Sequence, residues 1–244
     1  YENSGPSLPV QSTLIRKQTL KTAHSDVYTV QLSPDDWFVD DHRIGGQRTF
    51  SGTTYTQLAA ELAVLYFGTP AFQLEKLYFK NLIQLEEKRR EFQIHVSKSS
   101  SKQLEIEVFS YENQDMNNYV THASFTIRQA ELEAAPEAVD VNSMFEQQLL
   151  TADFGSEENN FFKGRWDFAK QNFRLARPSG SEILLSLTLH EQFAGDLQKF
   201  YLHPSLLDGI LGPRQKLPSA ILWQIHLYRQ SVHRPDIFQN RAAL

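Results

Sequence analysis

Alternating apolar and polar residues predict antiparallel strands throughout the first half of the chain. Phe92, Ile94 and Val96 alternate cleanly with polar residues, which is typical of a strand with one buried face. Polar turns at 98–102 and 113–118 have the composition that joins antiparallel neighbours. The pattern predicts strands at 14–20, 27–32, 72–85, 92–97, 103–111 and 119–127.

A long helix is predicted at 53–66, where apolar residues such as Leu58 recur at the three- and four-residue spacing of one helix face. Ser51 or Thr53 can cap the first amides of this helix. The Gly68–Pro70 segment is a typical helix end. Because alanines between the apolar residues allow close approach, we expect the sheet to curl around this helix.

The second half repeats the order of strand, helix and strand after an acidic, alanine-rich linker. We predict strands at 166–176, 182–189 and 221–227, and a helix at 204–211. The predicted division is an N-terminal unit at 1–130, a linker at 131–160 and a C-terminal unit at 161–244. Since the second copy is short and its helix breaks abruptly, we expect residues to be missing near 211–217 and after 230. The start without methionine predicts a piece of a longer protein.

Composition excludes several classes of function. The apolar fraction of 41% and the aromatic fraction of 12% are typical of a globular protein. A net charge of −5 gives no reason to expect nucleic acid or an anionic membrane as a partner, and no apolar run is long enough to span a bilayer. Zero cysteines exclude disulfides, thiolate metal sites and a cysteine nucleophile, and are compatible with a cytoplasmic setting. No group of residues has metal-ligand spacing.

Two distant residues are the candidates for chemistry. His42 follows the apolar run 37–39, which we interpret as a strand end, and Asp208 lies in what we predict to be the first turn of the 204–211 helix. An imidazole and a carboxyl group together can act as base and acid. Alternatively, His42 is a packing histidine and Asp208 only interacts with the helix dipole, an effect worth about 0.3–1 kcal/mol. We interpret His203 as structural, and the histidines at 95 and 122 as solvated or hydrogen-bonded.

Two short motifs carry a resemblance to a known family. His42 and Gly46 form an HxxxG motif, similar to the HxxxGxxxxP motif of dehydratase domains in modular polyketide synthases and related fatty acid synthases. The segment LHPSLLD at 202–208 looks like the family's second motif, HPxLLDxxxQ/H. Residues 161–174 lie where the family has a strand with a Tyr-Gly-Pro element. The order and spacing of these elements match across nearly the whole chain.

The resemblance implies an α+β double-hotdog fold, in which two antiparallel sheets each wrap around a central helix and share one active site. It also implies hydro-lyase chemistry on a 3-hydroxyacyl thioester carried by an acyl carrier protein. His42 takes the C2 proton, and Asp208 protonates or orients the departing 3-hydroxyl. The backbone N–H of Gly46, at the start of the predicted helix, is the expected donor to the thioester carbonyl.

Partners follow from the same resemblance. We expect the carrier protein, with its phosphopantetheine arm, and neighbouring synthase domains, together with a possible homodimer through an edge strand. Apart from the phosphopantetheine arm of the carrier protein, no cofactor is expected, and no metal is expected. Nucleic acid and membranes are not expected.

The chain departs from the family pattern at three positions. Ser51 replaces the family's proline, Gly212 stands where Gln or His follows the aspartate, and Phe168 begins the segment that replaces Tyr-Gly-Pro. With Gly46, these are the positions at which we expect substrate contacts. The departures leave open a pyran-forming cyclase, a double-bond isomerase, a branching domain or a catalytically silent module, although the retained Asp208 argues against the isomerase.

Overall fold

The computed structural model describes most of the N-terminal half and separate stretches of the C-terminal half. The predicted linker therefore lies almost entirely outside the described residues, and the division of the chain into units stays a prediction. The residues expected to be missing near 211–217 and after 230 also fall largely outside. The structure describes residues 8–9, 12–112, 115–130, 149–150, 162–171, 173–179, 182–211, 226–229 and 238–241.

One long helix forms the centre of the N-terminal half, as predicted. It is α2, Gly52–Phe67, and every residue of 53–63 is buried. Ser51 Oγ accepts a hydrogen bond from the Thr54 amide at 3.2 Å, which confirms the predicted N-cap. The helix ends at Gly68, whose φ of +71° is the left-handed conformation that glycine adopts without strain. A helix buried on all sides needs a sheet that wraps around it.

A seven-stranded antiparallel sheet supplies that wrapping. Its inner face contributes Phe92, Ile94 and Val96, all completely buried, and the register places Ile94 between Tyr28 and Val108 on the neighbouring strands. The predicted strands and their alternation are thereby confirmed. The strands, in spatial order, are β1 (Leu8–Pro9), β2 (Ile15–Lys21), β3 (Ser25–Leu32), β8 (Arg90–Ser100), β9 (Gln103–Glu112), β10 (Asp115–Gln129) and β6 (Phe72–Phe79).

A small second sheet and a short helix carry the segment around His42. The prediction of a strand end at 37–39 was wrong, because Trp37–Asp40 forms one helical turn, α1, that buries Phe38 and Val39. So short an apolar run has no periodicity that separates strand from helix. The predicted strand at 72–85 divides in two, with β6 ending at Phe79. The small sheet contains β4 (Arg43–Ile44), β5 (Gln47–Thr49) and β7 (Gln84–Leu85).

The C-terminal half confirms two predicted elements and corrects a third. The predicted helix at 204–211 is present as α4 (Pro204–Leu211), and the predicted strand at 182–189 is present as β13 (Glu182–Leu187). The strand predicted at 166–176 was wrong over its first half, because residues 164–171 form the helix α3, which buries Trp166 and Ala169 three residues apart on one face. Of the strand predicted at 221–227, the part at 221–225 lies outside the described residues. The elements are β11 (Leu149–Leu150), α3 (Gly164–Gln171), β12 (Phe173–Ser179), β13 (Glu182–Leu187), a 3-10 helix (Glu191–Gln198), α4 (Pro204–Leu211), β14 (His226–Arg229) and β15 (Phe238–Arg241).

Helix α4 joins the two halves, since it packs against both α2 and α3. The chain just before α4 is held by the central helix, because the buried Gln57 side chain accepts a hydrogen bond from the Leu202 amide at 2.8 Å. The segment that carries Asp208 is thereby attached to the core of the N-terminal half.

Candidate functional site

His42 lies between α1 and the β4–β5 hairpin and is buried, with 6% of its surface exposed. Its Nδ1 is 2.8 Å from the Thr49 carbonyl oxygen. Because a carbonyl oxygen can only accept a hydrogen bond, Nδ1 carries the proton, and the Nε2 of the neutral ring carries the lone pair. The contact therefore selects the tautomer in which Nε2 is the basic nitrogen.

The second half of the chain supplies the surroundings of the His42 ring. The backbone of His42 forms a β-bridge with Phe162, and the two rings lie 5.2 Å apart. The His42 ring also lies 5.3 Å from the ring of Trp166, which is completely buried in α3. An apolar aromatic wall therefore covers His42 and excludes water from this side.

Asp208 is the fifth residue of α4 and is half-buried. It lies beyond the first turn, so the expectation of a first-turn position was wrong. A stabilising interaction with the N-terminal end of the helix dipole is weakened, because for a carboxylate that effect is confined to the first turn. The next residue, Gly209, packs so closely that a Cβ there would lie 3.1 Å from Leu187 and 3.9 Å from the Cβ of Ala169.

Helix α3 relates the two candidate residues. Trp166 contacts His42, while Ala169, three residues later on the same face, lies opposite Gly209, the residue after Asp208, where α3 packs against α4. Three residues of a helix span about 4.5 Å. His42 and the Asp208 turn therefore contact one face of the same helix about one turn apart, although the sequence separates them by more than 160 residues.

Gly46 and Ser51 are in different surroundings. Gly46 lies at the exposed tip of the β4–β5 hairpin with φ of +80°, and its carbonyl accepts a hydrogen bond from Arg43 at 3.3 Å. The expectation that Gly46 lies at the start of the central helix was therefore wrong, because that helix begins at Gly52. Ser51 is 1% exposed and serves as the N-cap of α2. A substrate contact at either residue stays a prediction.

Phe168 belongs to α3 rather than to a strand, is half-buried, and its ring meets His190 edge-on at 4.8 Å. Gly212 lies outside the described residues. The predicted substrate contacts of these two positions therefore stay predictions.

Sequence reasoning assigned no role to the charged residues beside His42. Arg165 lies between the carboxylates of Asp41 and Asp196, with Nη1 at 3.4 Å and Nε at 2.6 Å respectively. Burial raises the pKa of the Asp41 carboxyl, although the hydrogen bonds and positive charge of Arg165 act in the opposite direction. The only signal in the sequence was the Asp40-Asp41 pair directly before His42, and it did not indicate a partner 124 residues away.

Part of the chain matches the model of a known protein family. Residues 13–111 match the family model of the polyketide synthase dehydratase domain. No curated protein sequence matches the chain significantly. The resemblance to polyketide synthase dehydratase domains is confirmed. It rests on sequence over residues 13–111 and on fold over a longer range.

Solved structures show the same fold at low sequence identity. A trans-AT polyketide synthase dehydratase domain from Brevibacillus brevis matches with a TM-score of 0.66 and 19% identity, over 85% of this chain and 79% of that one. The dehydratase domain from the CurF module of the curacin synthase matches at 0.65 and 16%, over 92% and 79%. A bifunctional dehydratase-cyclase domain in ambruticin biosynthesis matches at 0.62 and 20%, over 87% and 78%. The chain therefore has the predicted double-hotdog fold.

The described residues contain neither a membrane-spanning helix nor a cluster of metal ligands. Within these ranges, none of the helices combines the length and the apolar character needed to cross a membrane. In the same part of the chain, no three His, Asp or Glu side chains are grouped so that they could hold a metal ion.

Two buried histidines make the stability of the domain dependent on pH. Burial lowers the pKa of His203 to about 4; the charge of Asp196 acts to raise this pKa and the charge of Arg165 acts to lower it. Burial, together with the positive charge of Arg90, lowers the pKa of His122 to about 4. Both values lie below the unfolded value near 6.5. The unfolded chain therefore takes up more protons between pH 6.5 and 4, so stability is complete above pH 6.5 and falls as the pH is lowered towards 4.

We expect the free energy of unfolding to be lower at pH 5 than at pH 7.5, by about 1–3 kcal/mol for each histidine. Urea denaturation at the two pH values measures the difference. In His122→Gln the difference should shrink, whereas in the control His95→Gln, a half-buried strand position, it should stay as in the wild type. An equal difference in all three proteins would contradict the assignment to His122.

Proposed function

We propose that this domain removes water from a 3-hydroxyacyl thioester carried by an acyl carrier protein. The observation that carries the proposal is the orientation of His42. Its Nδ1–H is held by the Thr49 carbonyl, which makes Nε2 the base, and its ring lies on the α3 face that also contacts the Asp208 turn. A base and an acid from two halves of the chain fit the β-elimination that the family carries out.

In the proposed reaction, His42 Nε2 removes the C2 proton and the electron pair of that bond forms the C2–C3 double bond. The C3–O bond breaks, and the hydroxyl leaves as water with the proton that Asp208 donates. The products are a 2,3-enoyl thioester and water, with an imidazolium at His42 and a carboxylate at Asp208. Return of one proton from His42 to Asp208, directly or through water, restores both groups.

The buried aromatic rings at 162 and 166 support this chemistry physically. A charge formed on His42 or on the enolate interacts more strongly with nearby groups where water is excluded. The thioester carbonyl needs a hydrogen-bond donor, for which the Gly46 amide remains our candidate. Ser51 contributes by fixing the start of α2.

The partners we propose are the acyl carrier protein, whose phosphopantetheine arm presents the substrate, and the neighbouring domains of a synthase. No other cofactor enters the proposed reaction. Pairing of two copies through an edge strand is a further expectation, since among the described residues the edge strands of the seven-stranded sheet, β1 and β6, each pair with one neighbour only.

The test uses two synthetic 3-hydroxyacyl pantetheine thioesters, the first without and the second with an additional, remote hydroxyl. We expect conjugated absorbance to develop with the first substrate, together with the mass of the dehydrated product. With the second, a ring product of the same mass and without conjugated absorbance would show a cyclase that dehydrates first. No conversion of either substrate, or of the carrier-bound forms, would contradict the proposed function.

A further inference from the structure

Arg165 occupies an unusual position at the start of α3, directly beside the His42 segment. Its guanidinium lies 4.4 Å from the ring of Trp37 and 4.2 Å from the ring of Phe193, so it is held between two aromatic faces. Only 18% of its side chain is exposed. The stacking fixes the plane of the guanidinium, and with it the direction of its N–H groups.

These N–H groups connect two carboxylates from opposite halves of the chain. Nε donates to Asp196 at 2.6 Å, and Nη1 lies 3.4 Å from the Oδ2 of Asp41. Both aspartates are buried, with 8% of the surface of Asp41 and 9% of the surface of Asp196 exposed. We call Asp41, Arg165 and Asp196 the clamp. Because removal of the guanidinium would deprive two buried carboxylates of the positive charge that they share, Arg165 holds both segments together.

The backbone at this point is shaped to receive Asp41. The Arg165 amide donates to Asp41 Oδ2 at 3.2 Å, and the Lys163 amide donates to the Asp41 carbonyl at 3.1 Å. Gly164 has φ of +55°, and a Cβ on it would lie 2.5 Å from the Asp41 carboxylate. Only glycine allows this approach. The Asp41 side chain thus takes the place of an N-cap for α3, although it comes from a distant part of the sequence.

The clamp is adjacent to His42 and is connected to the Asp208 segment through α3. Asp41 directly precedes His42 in the sequence. The backbone of His42 pairs with that of Phe162, which lies three residues before Arg165. At the other end of α3, Ala169 lies opposite the turn of α4 that carries Asp208. The clamp therefore holds one end of the helix against His42, while the body of the helix contacts the Asp208 turn.

We infer that Arg165 is a positioning residue for the proposed dehydration, and that through the clamp it sets the separation of His42 from Asp208. The inference rests on the proposed function. Arg165 acts through Asp41 and α3 and contacts no reacting atom in this mechanism. Its loss therefore slows the chemical step and leaves binding of the carrier protein unchanged.

The kinetic test compares Arg165→Met, which keeps the length and removes the charge, with Arg165→Lys. In the methionine variant kcat should fall about 10- to 100-fold, as expected for a small misplacement of catalytic groups, while KM for the loaded carrier stays within about twofold. The lysine variant should recover part of kcat, because it restores the charge without the planar fork of arginine. The control is Arg128→Met on β10, where an exposed arginine lies 3.7 Å from Glu75 and is replaced in the same way.

Hydrogen exchange separates failure of this inference from failure of the proposed function. In Arg165→Met, amides in 37–50 and 164–171 should exchange at least about tenfold faster, while those of the central strands at 92–96 stay protected. If the methionine variant loses protection everywhere, Asp196→Asn replaces it, and the same two segments should be affected more weakly.

Each outcome decides between the two claims. A wild-type domain without turnover would overturn the proposed function, and the exchange data would still test the clamp. Unchanged exchange in both segments, or unchanged kcat in an active enzyme that carries Arg165→Met, would overturn the inference. A rise in KM with unchanged kcat would also overturn it, because a positioning residue is expected to affect the chemical step.

Discussion

Replacing His42 with glutamine is expected to lower the rate of dehydration by about 10²–10⁴-fold, the usual contribution of a general base. Glutamine has a volume similar to that of histidine, although its amide lies one bond further from the backbone than Nδ1, which is 2.8 Å from the Thr49 carbonyl oxygen in the native protein. Folding should therefore survive. The glutamine nitrogen, however, cannot accept the C2 proton, because its lone pair is delocalised into the amide. The measurement is the initial rate with a carrier-bound 3-hydroxyacyl chain.

The control for this variant is His95→Gln, which makes the same change at a half-buried strand position outside the site. Its rate should equal that of the wild type, and both variants should unfold in urea at similar concentrations. A His42→Gln enzyme with normal turnover would remove His42 from the mechanism.

The second large effect is expected for Asp208→Asn, for which we also predict a loss of about 10²–10⁴-fold. Asparagine keeps the shape and can orient the 3-hydroxyl through a hydrogen bond, but it has no proton to transfer to the leaving group. The fall should lie in kcat, because the shape available to the substrate is nearly the same. Single-turnover measurement of the loaded carrier reports the chemical step directly.

Asp35→Asn, at an exposed turn residue, makes the same substitution without effect on turnover. The rate of Asp208→Asn also separates two roles for the carboxyl group. A loss of only a few-fold would mean that Asp208 orients the hydroxyl and that another group supplies the proton. Full activity would leave the family resemblance intact and remove Asp208 from the reaction.

The sequence predicted the N-terminal half well, because its elements have strong periodicity. The strand around Ile94 alternates strictly, and apolar residues recur around Leu58 at three- and four-residue spacing, so each pattern fits one type of secondary structure. The Ser51 cap and the Gly68 end were also predicted correctly, since both depend on local backbone chemistry.

The predictions failed where the signal was short or the contact was distant. The run at 37–39 is too brief to show a period, and Trp166 with Ala169 was interpreted as part of a strand because one apolar spacing fits both structures over a few residues. The resemblance pointed to His42 and Asp208. It did not reveal Arg165, because the Asp41–Arg165 contact joins residues 124 positions apart and depends on the packing of the two halves.

The most direct test of the account is the intact mass of an acyl carrier protein loaded with a 3-hydroxyacyl chain, after incubation with this domain. We predict a loss of one water with the wild-type domain, and a loss that is about 10²–10⁴-fold slower with either His42→Gln or Asp208→Asn. An unchanged mass with the folded wild-type domain over a range of acyl chains would contradict the central claim that these two residues form a dehydrating acid–base pair.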